Sequence, residues 1–390
     1  MKKTRITAII LSAALALALT GCQGTSTSSI PTISVGGSEE SAGAQSSAAS
    51  DSSSVPESSV VSTGDESSAS SAPESATSAE EASKPQPDTS ETQPKGGEIT
   101  GTVLVCPDGR GMPLFGGGTG ATYAKAVNEV KEKVGNQVNV FSMVVPTQGS
   151  FYMPEGFTMA DEWDCIQNIN DQLYGIIPVD AYTALSKHTD EEIYARTDHH
   201  WMQLGAYYAA EEFVKTAKID VPFAPLSDYE RHDIEGYLGT LYKYSEQNPT
   251  MAKNPETFTY YIAPNDFSTY YMNPEDTDFT GSAMFLEMPV SYAYGTFMGG
   301  DEKVVHVETD VENGRKLLII KDSYPNALVP CLTGSFEEIW TADMRYLKEM
   351  QHFPNSISQV VKDYGITDVL FCMNTFSAVG ENAGKLPGIT

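Results

Sequence analysis

Two short segments carry the residues from which a catalytic apparatus can be built. One runs from Tyr194 and ends Asp198-His199-His200-Trp201; the other is Lys321-Asp322-Ser323-Tyr324, directly after the apolar run Leu317–Ile320. A serine hydroxyl is a poor nucleophile until an imidazole removes its proton, and the imidazole needs a carboxylate to fix its tautomer and stabilise its charged form. Ser323, His200 and Asp198 supply those three roles. In an Asp-x-His arrangement the two side chains meet across a tight turn or helix start, which selects His200 as the base over its neighbour. His199 is left to support the base or orient substrate. Both segments also have a plainer reading, because an aspartate ahead of a helix and a serine after a strand are common helix caps. Metal-dependent phosphoester cleavage by the Asp-His-His run would require further ligands, and His188, His232, His306 and His352 supply no such cluster. Neither a metal nor a cofactor is expected.

These segments need a scaffold, and hydrophobic periodicity predicts one. After Trp201, the residues Leu204, Ala206, Tyr207, Ala210, Phe213 and Val214 form an apolar stripe at helical spacing, so Asp198 is expected at a helix start. Thr102–Cys106 reads as a short strand, Ala121–Val134 as a helix and Val138–Val145 as a strand. Lys316–Lys321, Glu338–Ala342 and Asp368–Met373 are continuous apolar runs of the kind found in parallel strands covered on both faces. An α/β sandwich with a mostly parallel sheet follows, and a serine at the carboxyl end of such a strand faces the crevice where open α/β sheets bind ligands. Residues 222–300, rich in Tyr, Pro, Gly and Asn, read as an irregular or β-rich insertion.

The remainder of the chain is of another kind. Residues 1–22 combine Lys2, Lys3 and Arg5 with an apolar run and close on Leu19-Thr20-Gly21-Cys22, a secretory signal whose end resembles the bacterial lipobox, with Cys22 as the lipidation site. Residues 23–97 hold 23 Ser and 11 acids against two bases, with no aromatic residue, so they read as a disordered acidic spacer spanning about 50 Å. Residues 98–390 carry every Trp and His and a net charge of −22 within the total of −28. A polyanion such as nucleic acid is repelled by that charge. Cys106, Cys165, Cys331 and Cys372 form no CxxC pair; in an exported protein one or two disulfides are open to them, yet Cys106, Cys331 and Cys372 sit beside apolar runs that favour buried thiols, and no bridge is assigned.

The Thr197–Trp201 and Lys321–Tyr324 segments, in that order, resemble the DHHW family, which is similar to the SGNH-hydrolase-like domains of alginate O-acetylation proteins. The resemblance implies a permuted SGNH-like three-layer α/β/α sandwich over 98–390, with Ser323, His200 and Asp198 as the triad. It implies an oxyanion hole from the Ser323 amide and the Asn374 side chain, with His199, Trp201, Asp322, Tyr324 and Arg345 supporting the site or touching substrate. Lys321 stands where these enzymes usually have glycine and is expected to crowd or charge the pocket. The Asp-to-His spacing, one residue shorter than in the usual hydrolases, is shared by the alginate relatives. The implied protein is an exported, lipid-anchored O-acetyltransferase or esterase of a cell-envelope or secreted polysaccharide, working with a membrane acyl-transport partner. Tyr152, Trp163, Trp201 and Tyr324 are the aromatic residues considered for stacking on sugar rings. The competing reading, prompted by Lys321, is a catalytically inactive polysaccharide-binding or scaffold lipoprotein.

Overall fold

Strands that are apolar on both faces must be covered on both faces, and three of them form the centre of this protein. In the computed structural model, which describes Lys84, Pro85 and residues 95–390, these are β4 (Asn139–Val145), β11 (Lys316–Lys321) and β13 (Asp368–Asn374). The signal segment, Cys22 and nearly all of the spacer lie outside the described residues. With β5 (Ile177–Pro178) and β12 (Glu338–Asp343) the three build a parallel sheet in the order β5-β4-β13-β11-β12. Antiparallel strands β10 (Val304–Thr309), β8 (Phe267–Met272) and β9 (Thr280–Ser282) extend it.

Helices cover both faces. The register pairs Phe141 with Leu370 and Ser142 with Phe371, so Phe141 and Phe371 point to opposite sides. Phe213 of α5 (Gln203–Thr216) packs edge-on against Phe141, and Tyr123 of α1 (Ala121–Val134) against Phe371. With α1 lie α3 (Glu162–Asn170), α9 (Ile357–Tyr364) and α10 (Thr375–Val379); with α5 lie α4 (Ala181–Ser186) and α8 (Val329–Leu332). Short helices α2 (Gly149–Tyr152), α6 (Thr240–Tyr244) and α7 (Pro249–Ala252) fill connections. The result is a three-layer α/β/α sandwich.

Three expectations change. The run around Val103–Val105 is a strand, β2, but it belongs to a separate antiparallel sheet with β1 (Glu98–Thr100) and β3 (Gly111–Pro113), where it packs on Leu241 and Met251. Residues 222–300 are not simply an insertion: β8 and β9 complete the main sheet, while β6 (Glu230–Tyr237) and β7 (Glu256–Ile262) pair as a ribbon. Strands near a sheet edge bury only part of their surface, so their sequences carry no continuous apolar run. Finally, Asp198 does not cap α5, whose N-cap is Met202 without a side-chain bond. The four Cys of 98–390 are buried free thiols.

The amino end of β13 is held by the fully buried Asp368, which accepts from Arg315 Nε at 2.7 Å and Asn139 Nδ2 at 2.9 Å. Asp368→Ala strands those donors and is expected to cost about 3–5 kcal/mol in urea unfolding. Because the strand separates Asp368 from its carboxyl end by about 20 Å, the folded variant should keep the reactivity of Ser323.

Candidate active site

Strand β11 delivers Ser323 to the carboxyl edge of the sheet. The residue occupies the N-cap position of a single 3-10 turn, Tyr324–Ala327, yet its side chain makes no capping bond. Its Oγ instead lies 2.7 Å from Nε2 of His200, and His200 Nδ1 lies 2.6 Å from Oδ1 of Asp198. Asp198 and His200 meet across a tight loop closed by the Tyr194–Trp201 bridge.

The Asp198 carboxylate is buried, so each of its lone pairs needs a donor. Oδ1 accepts the backbone N–H of His200 at 3.0 Å as well as its ring; Oδ2 accepts Tyr237 Oη at 2.8 Å, the Thr240 amide at 2.7 Å and Thr240 Oγ1 at 3.0 Å. Burial alone would raise its pKa, but the adjacent His200 ring and these donors hold the carboxyl well below the usual range. Gly239 makes the approach feasible, since a Cβ there would stand 2.3 Å from Asp198 Oδ2. A second buried carboxylate, Glu256 of β7, anchors the base of the loop by accepting the amides of Arg196 and Thr197, each at 2.7 Å. Burial pushes its pKa up, against the pull of those bonds.

Tyr294 joins the two halves. Its ring stacks on His200 at 3.7 Å and 5°, and its hydroxyl shares its one proton between the carbonyls of Tyr324 at 2.7 Å and Ser323 at 3.1 Å. Trp201 Nε1 donates to the same Tyr324 carbonyl at 2.8 Å, and Tyr324 Oη donates to the carbonyl of His199.

The structure places the remaining expected residues as follows. Asn374 is level with Ser323 in the register that aligns Lys321 with Cys372. Its Oδ1 caps α10 through the Ser377 amide at 2.9 Å, which leaves its NH2 as the side chain's remaining polar group. Among the described residues, no acceptor takes the Ser323 amide. Asp322 is turned inward, accepting the amides of Tyr324 and Asn374, and burial raises its pKa. Arg345 is committed to Asp343 and Asp301. Lys321 neither crowds nor charges the pocket: its buried ammonium contacts Asp301 at 3.1 Å, Asp343 at 3.5 Å and the Asp322 carbonyl. Those acids outweigh the burial that would otherwise lower its pKa.

A cavity of about 200 Å³ opens beside these groups, with Thr147, His199, Tyr324 and Asn374 in its lining. Of the aromatic residues considered for sugar stacking, Trp163 and Trp201 are buried, and Tyr152 is half-buried beneath the Arg110 guanidinium. Tyr324 reaches the lining while staying buried. Asp198, His199 and His200 present ligand atoms within 4.8 Å of one another, but those atoms are turned to each other, to Thr240 and to Ser323. A larger groove of about 540 Å³ between Lys187, Tyr208 and Phe223 contains none of these residues. Sequence reasoning missed Tyr237, Gly239, Thr240, Glu256 and Tyr294. The Gly239-Thr240 pair ahead of a short helix was the one available signal.

The profile of the DHHW protein family matches residues 65–342. Among solved structures, a DHHW family protein from Eubacterium siraeum is 48% identical, with a TM-score of 0.71, over 76% of this chain and 99% of that one. Bacillus cereus PatB1, solved with a sulfonyl adduct, is 18% identical with a TM-score of 0.58, over 74% of this chain and 96% of its own. The O-acetyltransferase domain of Pseudomonas putida AlgJ matches at 12% identity and a TM-score of 0.41, over 75% of this chain and 99% of its own. A search of curated proteins finds no match.

Two measurements probe the Asp198 pocket. Gly239→Ala forces the carboxylate aside and is expected to destabilise the fold by about 1–3 kcal/mol in thermal unfolding. The depressed pKa of Asp198 means that its ionised form stabilises the fold above the ordinary carboxylate pKa of about 3.9, an advantage lost as pH falls. The urea stability gap between wild type and Asp198→Asn should therefore shrink as pH falls below about 4.

Proposed function

This chain belongs to the DHHW family, and from that premise we propose that it is a serine-dependent O-acyltransferase or esterase acting on a cell-envelope or secreted polysaccharide. The observation that carries this reading is the unbroken hydrogen-bonded path from Asp198 through His200 to Ser323 at a sheet edge beside a cavity. Ser323 Oγ attacks the ester carbonyl while His200 Nε2 takes its proton; the proton then goes to the departing alkoxide, leaving an acyl-serine. A sugar hydroxyl or water next attacks that ester, giving its proton to His200 and finally to Ser323. Asp198 holds the ring in the Nδ1–H tautomer and stabilises the imidazolium. The Ser323 amide and the Asn374 NH2 are the donors for the oxyanion, a role worth roughly 3 kcal/mol per donor.

In this proposal the protein is exported, tethered to the cell membrane through acylated Cys22, and supplied with acyl groups by a membrane transport partner. The inactive binding-protein reading loses its motive with Lys321 turned into an acidic pocket away from the cavity lining.

A sulfonyl fluoride probe, suggested by the adduct of the Bacillus cereus relative, should modify Ser323 in the wild type, as read by peptide mass mapping. Ser323→Ala should abolish the label, and His200→Ala should slow both labelling and p-nitrophenyl acetate hydrolysis about a thousandfold. Folded wild type that neither takes the label nor hydrolyses the ester sinks the proposal. Glycan binding by that unreactive protein would make it a binding protein.

A further inference from the structure

His199 is not part of the path from Asp198 to Ser323, yet its protonation is dictated by it. Thr240 Oγ1 donates its single proton to Asp198 Oδ2, at 3.0 Å, because an ionised carboxylate only accepts. The same oxygen stands 2.5 Å from His199 Nδ1, so there it must accept, and Nδ1 carries the hydrogen. Burial and the adjacent His200 ring push the His199 pKa down to about 3, and although the side chain keeps 30% of its exposure, both causes act to keep it neutral. A neutral ring protonated at Nδ1 leaves a lone pair on Nε2. Among the described residues nothing donates to that atom, and His199 is part of the cavity lining.

The rest of the lining suits a sugar. Tyr244 and Phe376, 55% and 36% exposed, are the large exposed aromatic residues at this cavity, and Asn374 contributes a polar group, while the Thr147 amide and hydroxyl are turned to Glu162. At about 200 Å³ the space is below the roughly 300–1,000 Å³ of most ligand pockets, which fits one ring better than an extended oligomer. No Lys or Arg lines it, in a region of net charge −22. A polymer with one carboxylate per sugar would enter against that field.

We propose that this cavity is the acceptor subsite, that it takes an uncharged sugar ring between Tyr244 and Phe376, and that a hydroxyl of that sugar donates to Nε2 of His199. This inference rests on the acyl-transfer reading above and adds the acceptor's chemical class and the residues that select it. His199 favours sugar over water because a sugar held by the two aromatic side chains and one hydrogen bond to His199 stays positioned near His200, whose ring centroid is 3.8 Å from that of His199.

The test uses p-nitrophenyl acetate as donor, with chitopentaose, cellopentaose and mannopentaose as neutral acceptors and pentameric mannuronate as the charged one. Acetylated product is counted by mass spectrometry and hydrolysis is followed in parallel. Wild type should acetylate at least one neutral pentamer faster than the mannuronate. His199→Leu should lower the ratio of transfer to hydrolysis about tenfold, the worth of one hydrogen bond, and His199→Gln, which returns an acceptor near the Nε2 position, should recover part of it. Tyr244→Ala and Phe376→Ala should each raise KM for the acceptor more than they change kcat. Faster transfer to mannuronate, transfer to no neutral pentamer, or an unchanged ratio in His199→Leu overturns the inference while ester hydrolysis leaves the parent reading standing. A wild type without ester hydrolysis or Ser323 labelling overturns both.

Discussion

A buried, ionised carboxylate is the constraint around which the site is arranged. Asp198 has almost no contact with water, and an unpaired charge at such depth is prohibitive. Five donor contacts satisfy it, and they come from three places: His200 through ring and backbone, Tyr237 at the end of β6, and Thr240 at the start of α6. The ribbon β6–β7 and the short helix α6 between its two strands are therefore obligatory parts of the site. Gly239 belongs to the same constraint, because the donors arrive only if the backbone passes within reach of the carboxylate.

The same logic governs His200. An imidazole works at a fixed position only when both its plane and its tautomer are fixed. Asp198 settles the tautomer of His200, and the face of Tyr294 settles its plane. The hydroxyl of Tyr294 also holds the carbonyls of the Ser323 turn, so His200 and Ser323 share one support. Beneath that turn, Asp301 joins Lys321, Asn326 and Arg345, which gives the lysine at the end of β11 a structural partner instead of a view of the pocket.

The parallel core was legible because its strands are doubly buried: the apolar run Lys316–Lys321 coincides with β11, and Asp368–Met373 falls one residue short of β13. The helix Ala121–Val134 was equally plain from its apolar spacing. The edge strand β9 and its neighbour β8 were not, since partial burial leaves no run to detect. For Ser323, His200 and Asp198, residue type and order pointed to one constellation; the plainer reading of Ser323 and Asp198 as helix caps fell only when the side chains were seen to face His200. Trp201 shows the converse, a residue suited to stacking on a sugar whose ring is buried and whose N–H holds a backbone carbonyl.

By itself, then, the amino-acid sequence determined the chemistry on offer and the class of scaffold, because nucleophile, base and acid are properties of side chains, and periodicity is a property of local burial. What only the tertiary structure decided was which donors neutralise Asp198, which ring aligns His200, and where Lys321 and His199 present their charge or lone pair. Those depend on contacts between segments tens to more than a hundred residues apart, and such contacts leave no periodic trace in any one of them.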